Sequence, residues 1–183
     1  MARTPLLLIG RLFGTCLDEL RERFDVTVVA DFTARFESVI DANSLRVICV
    51  GMVGSGHIST LAVNAAFLDR FVCLEVVTCL GVGCEFVDLG AAEKRGIVIT
   101  NTPGSNTEET ADTAMGLLLC TVRQLPQADR FLRAGHWRHE MFPLSGTLRG
   151  KCLGILGLGS IGKAIARRAE GFGLDIIYHG RTD

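Results

Sequence analysis

No stretch of 18 apolar residues occurs in this chain of 183, whereas a bilayer-crossing helix needs about 20. Pro5 to Gly10 is apolar but too short for the core of a signal peptide. The protein is therefore expected to be soluble and cytoplasmic, with no membrane partner. Net charge is almost absent as well: 19 Lys and Arg meet 20 Asp and Glu, a formal −1. No field of one sign favours nucleic acid or an anionic surface, so no nucleic-acid partner is expected. The most basic stretch, Thr121 to Lys151, sets six Arg and Lys against Asp129 and Glu140 and reads as a solvated helix face. The seven cysteines are odd in number and contain no CxxC. Most sit in apolar runs and read as free, buried thiols of a reducing compartment. Cys and His lack the paired short spacings that zinc requires, so no metal is expected. Ser145 and Thr147 stand in no base-bearing motif, which leaves hydrolase chemistry without support. There is no internal repeat and no low-complexity segment.

What is present is 48% hydrophobic residues, enough to bury a core, and one glycine motif in a telling context. Gly157-Leu158-Gly159-Ser160-Ile161-Gly162 follows the apolar run Lys151 to Leu156. It opens a helical pattern, Lys163 to Phe172, and a second apolar run, Leu174 to Tyr178, comes next. Strand, glycine turn, helix, strand is the setting in which GxGxxG holds a dinucleotide. The glycines let the backbone approach a pyrophosphate, and the helix N-terminus offers free N–H donors. An NAD site commonly places an acidic residue about 20 positions on, to hold the ribose hydroxyls. Here Gly180 stands there, followed by Arg181. A small residue leaves room and an arginine can pair with a 2′-phosphate, which favours NADP(H) over NAD(H). Asp183 could instead bond a ribose.

Upstream, strand and helix signals alternate. Strands are expected at Leu6 to Ile9, Val26 to Ala30, Leu45 to Val50, Leu74 to Cys79 and Ile97 to Thr100. Helices are expected at Cys16 to Phe24, Phe32 to Ala42, Leu61 to Phe71 and Phe86 to Arg95. That order predicts a parallel, doubly wound sheet whose ligand loops follow the strand ends, at Gly51 to Gly56 and Gly81 to Gly83. A long helix should follow Asn106, capped by it with Glu109 completing a capping box. Its apolar stripe would be Ala111, Met115, Leu118, Val122 and Leu125. Pro126 should kink or restart the helix, and Gly135 should stop it.

Several blocks together carry a resemblance: Leu80-Gly81-Val82-Gly83-Cys84-Glu85-Phe86-Val87-Asp88-Leu89, Arg95-Gly96-Ile97, Asn101-Thr102-Pro103, Ala111-Asp112 and the glycine motif. In this order the chain resembles the D-2-hydroxyacid dehydrogenase family. Through Tyr178-His179-Gly180-Arg181-Thr182 it resembles the glyoxylate/hydroxypyruvate reductase branch. The resemblance implies an α/β fold: a flavodoxin-like substrate domain over 1–100, and the first half of a Rossmann dinucleotide-binding domain over 101–183. It implies that Val82 and Gly83 bind the substrate carboxylate through backbone N–H groups. Gly157, Gly159, Ser160, Ile161 and Gly162 would bind the pyrophosphate, and Gly180, Arg181 and Thr182 the adenosine end. The helix from Thr107 would serve dimer contacts, which makes a homodimer the expected full-length state.

The resemblance also places the catalytic arginine, glutamate and histidine after the second cofactor-domain strand, where this chain has no counterpart. The chain is thus expected to be truncated at its C-terminus, inactive alone, and marginal in stability. His57, His136, His139 and His179 fall in other blocks, His139 as a surface residue and His179 at the cofactor end. The activity implied is reduction of a small 2-oxo acid to the 2-hydroxy acid. The alternative is a non-catalytic dinucleotide-binding regulator or scaffold. Cys79 and Cys84 flank the carboxylate loop, and read as packing residues because no base stands near them.

Overall fold

The computed structural model describes residues 3–32, 40–53 and 62–181. The chain divides into two compact units, 1–105 and 106–183.

The first unit is built on five parallel strands: β1 (Thr4–Ile9), β2 (Phe24–Val29), β3 (Val47–Val50), β4 (Val76–Cys79) and β5 (Val98–Thr100). Their order is β2-β1-β3-β4-β5, the flavodoxin-like winding. Its topological switch point lies between β1 and β3, where ligands collect at strand ends. The strands are β-branched and apolar because a parallel sheet is covered on both faces. Leu7 and Ile9 point into one core with Ile48, Val77, Leu68 and Phe71. Leu6 and Leu8 point into a second with Cys49. Helix α1 (Cys16–Arg23) precedes β2, α2 (Ala65–Leu68) precedes β4, and α3 (Leu89–Lys94) precedes β5. Asn64 and Asp88 cap α2 and α3 by accepting from Phe67 N and Ala91 N at 2.9 Å each. The helix expected over Phe86 to Arg95 is shorter for that reason: the cap at Asp88 sets its start. Most of the helix expected over Phe32 to Ala42, and the start of the one expected from Leu61, lie outside the described residues.

The second unit comprises α4 (Thr107–Val122), α5 (Leu125–Arg133), a 3₁₀ turn at His136–Arg138, β6 (Cys152–Leu156), α6 (Ser160–Glu170) and β7 (Asp175–His179). Strands β6 and β7 pair in parallel, Cys152 opposite Asp175 through to Leu156 opposite His179. Met115, Leu148, Ala169 and Leu174 form the core, with Leu118, Val122, Leu153, Ile165 and Ile176 packed on it.

Three expectations need correction. Asn106 does not cap α4: its φ of −124° and ψ of 16° are not the extended backbone that turns a cap side chain toward the first N–H groups. The apolar stripe ends at Val122, because Gln124 takes a left-handed φ of 53° and restarts the chain as α5 with Pro126 in its first turn. Leu125 is consequently half exposed. The cysteines are also less buried than their apolar neighbours suggested. Cys49 and Cys79 are buried, Cys84 and Cys120 intermediate, and Cys16, Cys73 and Cys152 exposed. All seven are free.

Candidate functional site

Two loops, one in each unit, combine unengaged backbone donors with a strand end. Each follows a parallel strand, where the ladder stops and the last N–H groups lose their partners.

In the second unit, β6 runs into Gly157, whose φ of 93° only glycine adopts without strain. Its N–H donates to His179 O at 2.7 Å, extending the ladder to β7 by one residue. Gly159 is the N-cap residue, and no side chain caps it. A Cβ there would meet nothing within 4 Å, so the backbone faces open space. Gly162 has the opposite surroundings. A Cβ there would collide with Gly157 O and lie 3.3 Å from Ile155 Cγ2. Glycine at 162 is thus what lets α6 start directly against β6. The first intrahelical bond is Lys163 N to Gly159 O at 2.9 Å. The N–H groups of Ser160, Ile161 and Gly162 precede it and find no acceptor among the described residues. Three such donors, with the positive end of an 11-residue helix behind them, suit a diphosphate. The donor set and the open face at Gly159 fit a dinucleotide.

Beyond β7, Gly180 is partly buried and Arg181 is exposed. No carboxylate among the described residues pairs with Arg181. Thr182 and Asp183 lie outside the described residues. His179 is exposed, as are His136 and His139.

The helix carrying the turn is strapped to α4. Arg168 donates to Asp112 Oδ1 at 2.6 Å and to Glu108 Oε2 at 2.7 Å, and Arg167 reaches Glu108 Oε1 at 3.0 Å. These guanidiniums, Arg168 first, hold the Glu108 carboxyl below the usual carboxylate range.

In the first unit, β4 ends in Leu80-Gly81-Val82-Gly83. Gly81 has a φ of 125°. The loop is pinned to the one after β5: Gly81 N donates to Thr102 Oγ1 and Thr102 N to Gly81 O, each at 2.9 Å. Asn101 Nδ2 donates to Val82 O at 2.6 Å. Asn101 and Thr102 are therefore positioning residues. Their block was visible in the sequence, but a contact spanning about 20 residues was not. With the carbonyls held, the N–H groups of Val82 and Gly83 have no acceptor among the described residues. Two adjacent free donors at a strand end are suited to an anion. Burial pushes the Cys79 thiol at the base of the loop up to about 11, so it is a poor nucleophile at neutral pH. The neighbouring strand β3 is followed by Gly51, whose N–H donates to Ile9 O at 2.8 Å. The remainder of that glycine loop, with His57, lies outside the described residues.

A strand–glycine turn–helix unit of this geometry in a parallel α/β chain is characteristic of the dinucleotide-binding class. Residues 115–183 match the family described as "D-isomer specific 2-hydroxyacid dehydrogenase, NAD binding domain". The chain is similar to glyoxylate/hydroxypyruvate reductase A of Arabidopsis thaliana, 39% identical over 90% of this chain and 51% of that protein. It is 44% identical to the glyoxylate reductase of Thermococcus litoralis over 66% of this chain and 38% of that one. Its fold is similar to the NADPH-dependent glyoxylate/hydroxypyruvate reductase of Sinorhizobium meliloti solved with NADP and malonate. The TM-score there is 0.79 at 42% identity, covering 100% of this chain and 55% of that one. Residues 115–183 thus match the NAD-binding domain of the D-isomer-specific 2-hydroxyacid dehydrogenases, and over most of its length the chain is similar to glyoxylate/hydroxypyruvate reductases. It spans about half the length of the curated relatives it matches.

Proposed function

We propose that these residues are the substrate-recognition and pyrophosphate-binding parts of an NADPH-dependent reductase that converts a small 2-oxo acid, glyoxylate or hydroxypyruvate, to its 2-hydroxy acid. The observation that carries this is the trio of unengaged N–H groups at Ser160, Ile161 and Gly162 beside the open face of Gly159. Those donors, with Gly157 shaping the turn, would hold the diphosphate. Gly180 would leave room at the end of β7, and Arg181, with Thr182, would take the 2′-phosphate. Val82 and Gly83 would hold the substrate carboxylate. The nicotinamide dinucleotide, when bound, supplies the hydride. Everything these residues contribute is recognition and orientation, by fixed amides that need no reorganisation when the anion arrives.

The catalytic arginine, glutamate and histidine belong to family blocks with no counterpart in these residues, so the 183-residue chain is proposed to bind without turning over. A protein that binds the dinucleotide purely as a regulator is the competing reading. Reductase activity in a polypeptide uniting these residues with the later family blocks decides between them. The working form is proposed to be a cytoplasmic homodimer. Its support is exposed apolar residues on and after α4: Leu117, Leu132, Trp137, Met141 and Leu144 are 58–93% exposed, and large exposed apolar surface marks interfaces.

Titration with NADPH and NADH, followed by calorimetry, tests the cofactor reading. NADPH should bind at least tenfold more tightly, and Arg181→Asp should remove or reverse that preference, given about 1.5–3 kcal/mol for a charge-assisted bond. An unchanged ratio in the variant would remove Arg181 from the account.

A further inference from the structure

Glu85 follows the loop whose amides are proposed to receive the substrate carboxylate, and its own carboxylate folds back onto that loop. A Cβ built on Gly83 would collide with Glu85 Oε2 and would lie 2.9 Å from Oε1 and 3.0 Å from Cδ. The acidic group therefore lies against the Gly83 α-carbon. Standard backbone dimensions then put Oε2 within about 5 Å of the Gly83 amide nitrogen. Yet neither the Gly83 nor the Val82 amide donates to it, and no cation among the described residues pairs with it. Glu85 is exposed, so its charge stands open beside an anion receptor.

We propose that Glu85 is a specificity-determining residue that favours ligands with one carboxylate over ligands with two. The inference rests on the reading of Val82 and Gly83 as the carboxylate receptor. A first carboxylate gains two amide donors in return for its approach to Glu85. A second carboxylate on the same small ligand gains no donor there and adds another like charge at short range. At about 5 Å in an exposed site, where the dielectric is close to that of water, each such charge changes affinity by about three- to tenfold. The arrangement selects 2-oxo monoacids and discounts 2-oxo diacids without any steric barrier.

The test uses two anions that differ by one carboxylate, glycolate and tartronate, titrated into the full 183-residue chain while the Val82 and Gly83 amides are followed by NMR. In the wild-type protein both amides should move with glycolate, and tartronate should bind more weakly. In Glu85→Gln, tartronate should tighten about three- to tenfold more than glycolate, and the gain should shrink as salt screens the charge. Glu85→Asp keeps the charge on a shorter arm and should lie nearer the wild type than Gln does. If both anions move both amides but the tartronate-to-glycolate ratio is the same in Glu85→Gln, the proposal falls and the receptor stands. If neither anion moves either amide in any of the three proteins, the receptor reading falls and takes the proposal with it.

Discussion

Strands β1 and β6 are similarly apolar, yet they sit very differently. In β1 the last four residues, Leu6 to Ile9, are at most 2% exposed. In β6 only Ile155 is buried, and Leu156 is 89% exposed; across the ladder Ile177 and Tyr178 of β7 are 61% and 56% exposed. The difference is in neighbours. β1 lies between β2 and β3, with a core on each face. Among the described residues β6 has one partner strand, and α4 and α6 line one face. The same kind of hydrophobic sequence therefore stabilises the first unit strongly and the second unit on one side only. An apolar run states an intention to be covered on both faces. How much of it is covered depends on how many elements surround it.

Paired truncations should expose this contrast most clearly. Leu7→Ala, at a fully buried position, should cost about 2–5 kcal/mol in denaturant unfolding. Ile177→Ala should change stability by no more than about 0.5 kcal/mol. Equal losses would mean that β7 is as well covered as β1. Next in size is Gly162→Ala, where the methyl meets Gly157 O. Overpacking of this kind should destabilise the second unit by about 1–3 kcal/mol and abolish NADPH binding. An equivalent change at Gly159, where a Cβ meets nothing, should leave stability nearly unchanged. The smallest effect concerns the strap between α4 and α6. Glu108 is held below its ordinary value, so its contribution is present above the usual carboxylate range and is lost as pH falls through the lowered value. Arg168→Ala should therefore lower the melting temperature modestly at pH 7, and the gap to wild type should close in acid. A gap that persists at low pH would assign Arg168 a packing role instead.

Much of the fold was legible from order alone. Alternating β-branched runs and 3.6-period stretches predicted the parallel sheet, and the spacing of Gly157, Gly159 and Gly162 predicted a cofactor turn. The three glycines prove to serve three needs: a positive φ, an open face and a close helix–strand approach. Local rules failed where tertiary context intervened. Asn106 and Glu109 had the letters of a capping box, but backbone angles at Asn106 exclude it. Cysteines in apolar runs looked buried, yet Cys152 is exposed because it points to the uncovered face of β6.

The sequence by itself determined which residues can turn, which can pack and where a glycine turn opens a helix with free amides, because those properties belong to single residues and their near neighbours. The structure alone decided that Arg168 meets Glu108 and Asp112 across nearly 60 residues, that Thr102 and Asn101 hold the Val82 loop, and that Glu85 lies on Gly83. The first two join loops or helices distant in sequence, and the last depends on how the loop folds back. None follows from spacing, because each depends on where the backbone has already been carried by the packing of everything else.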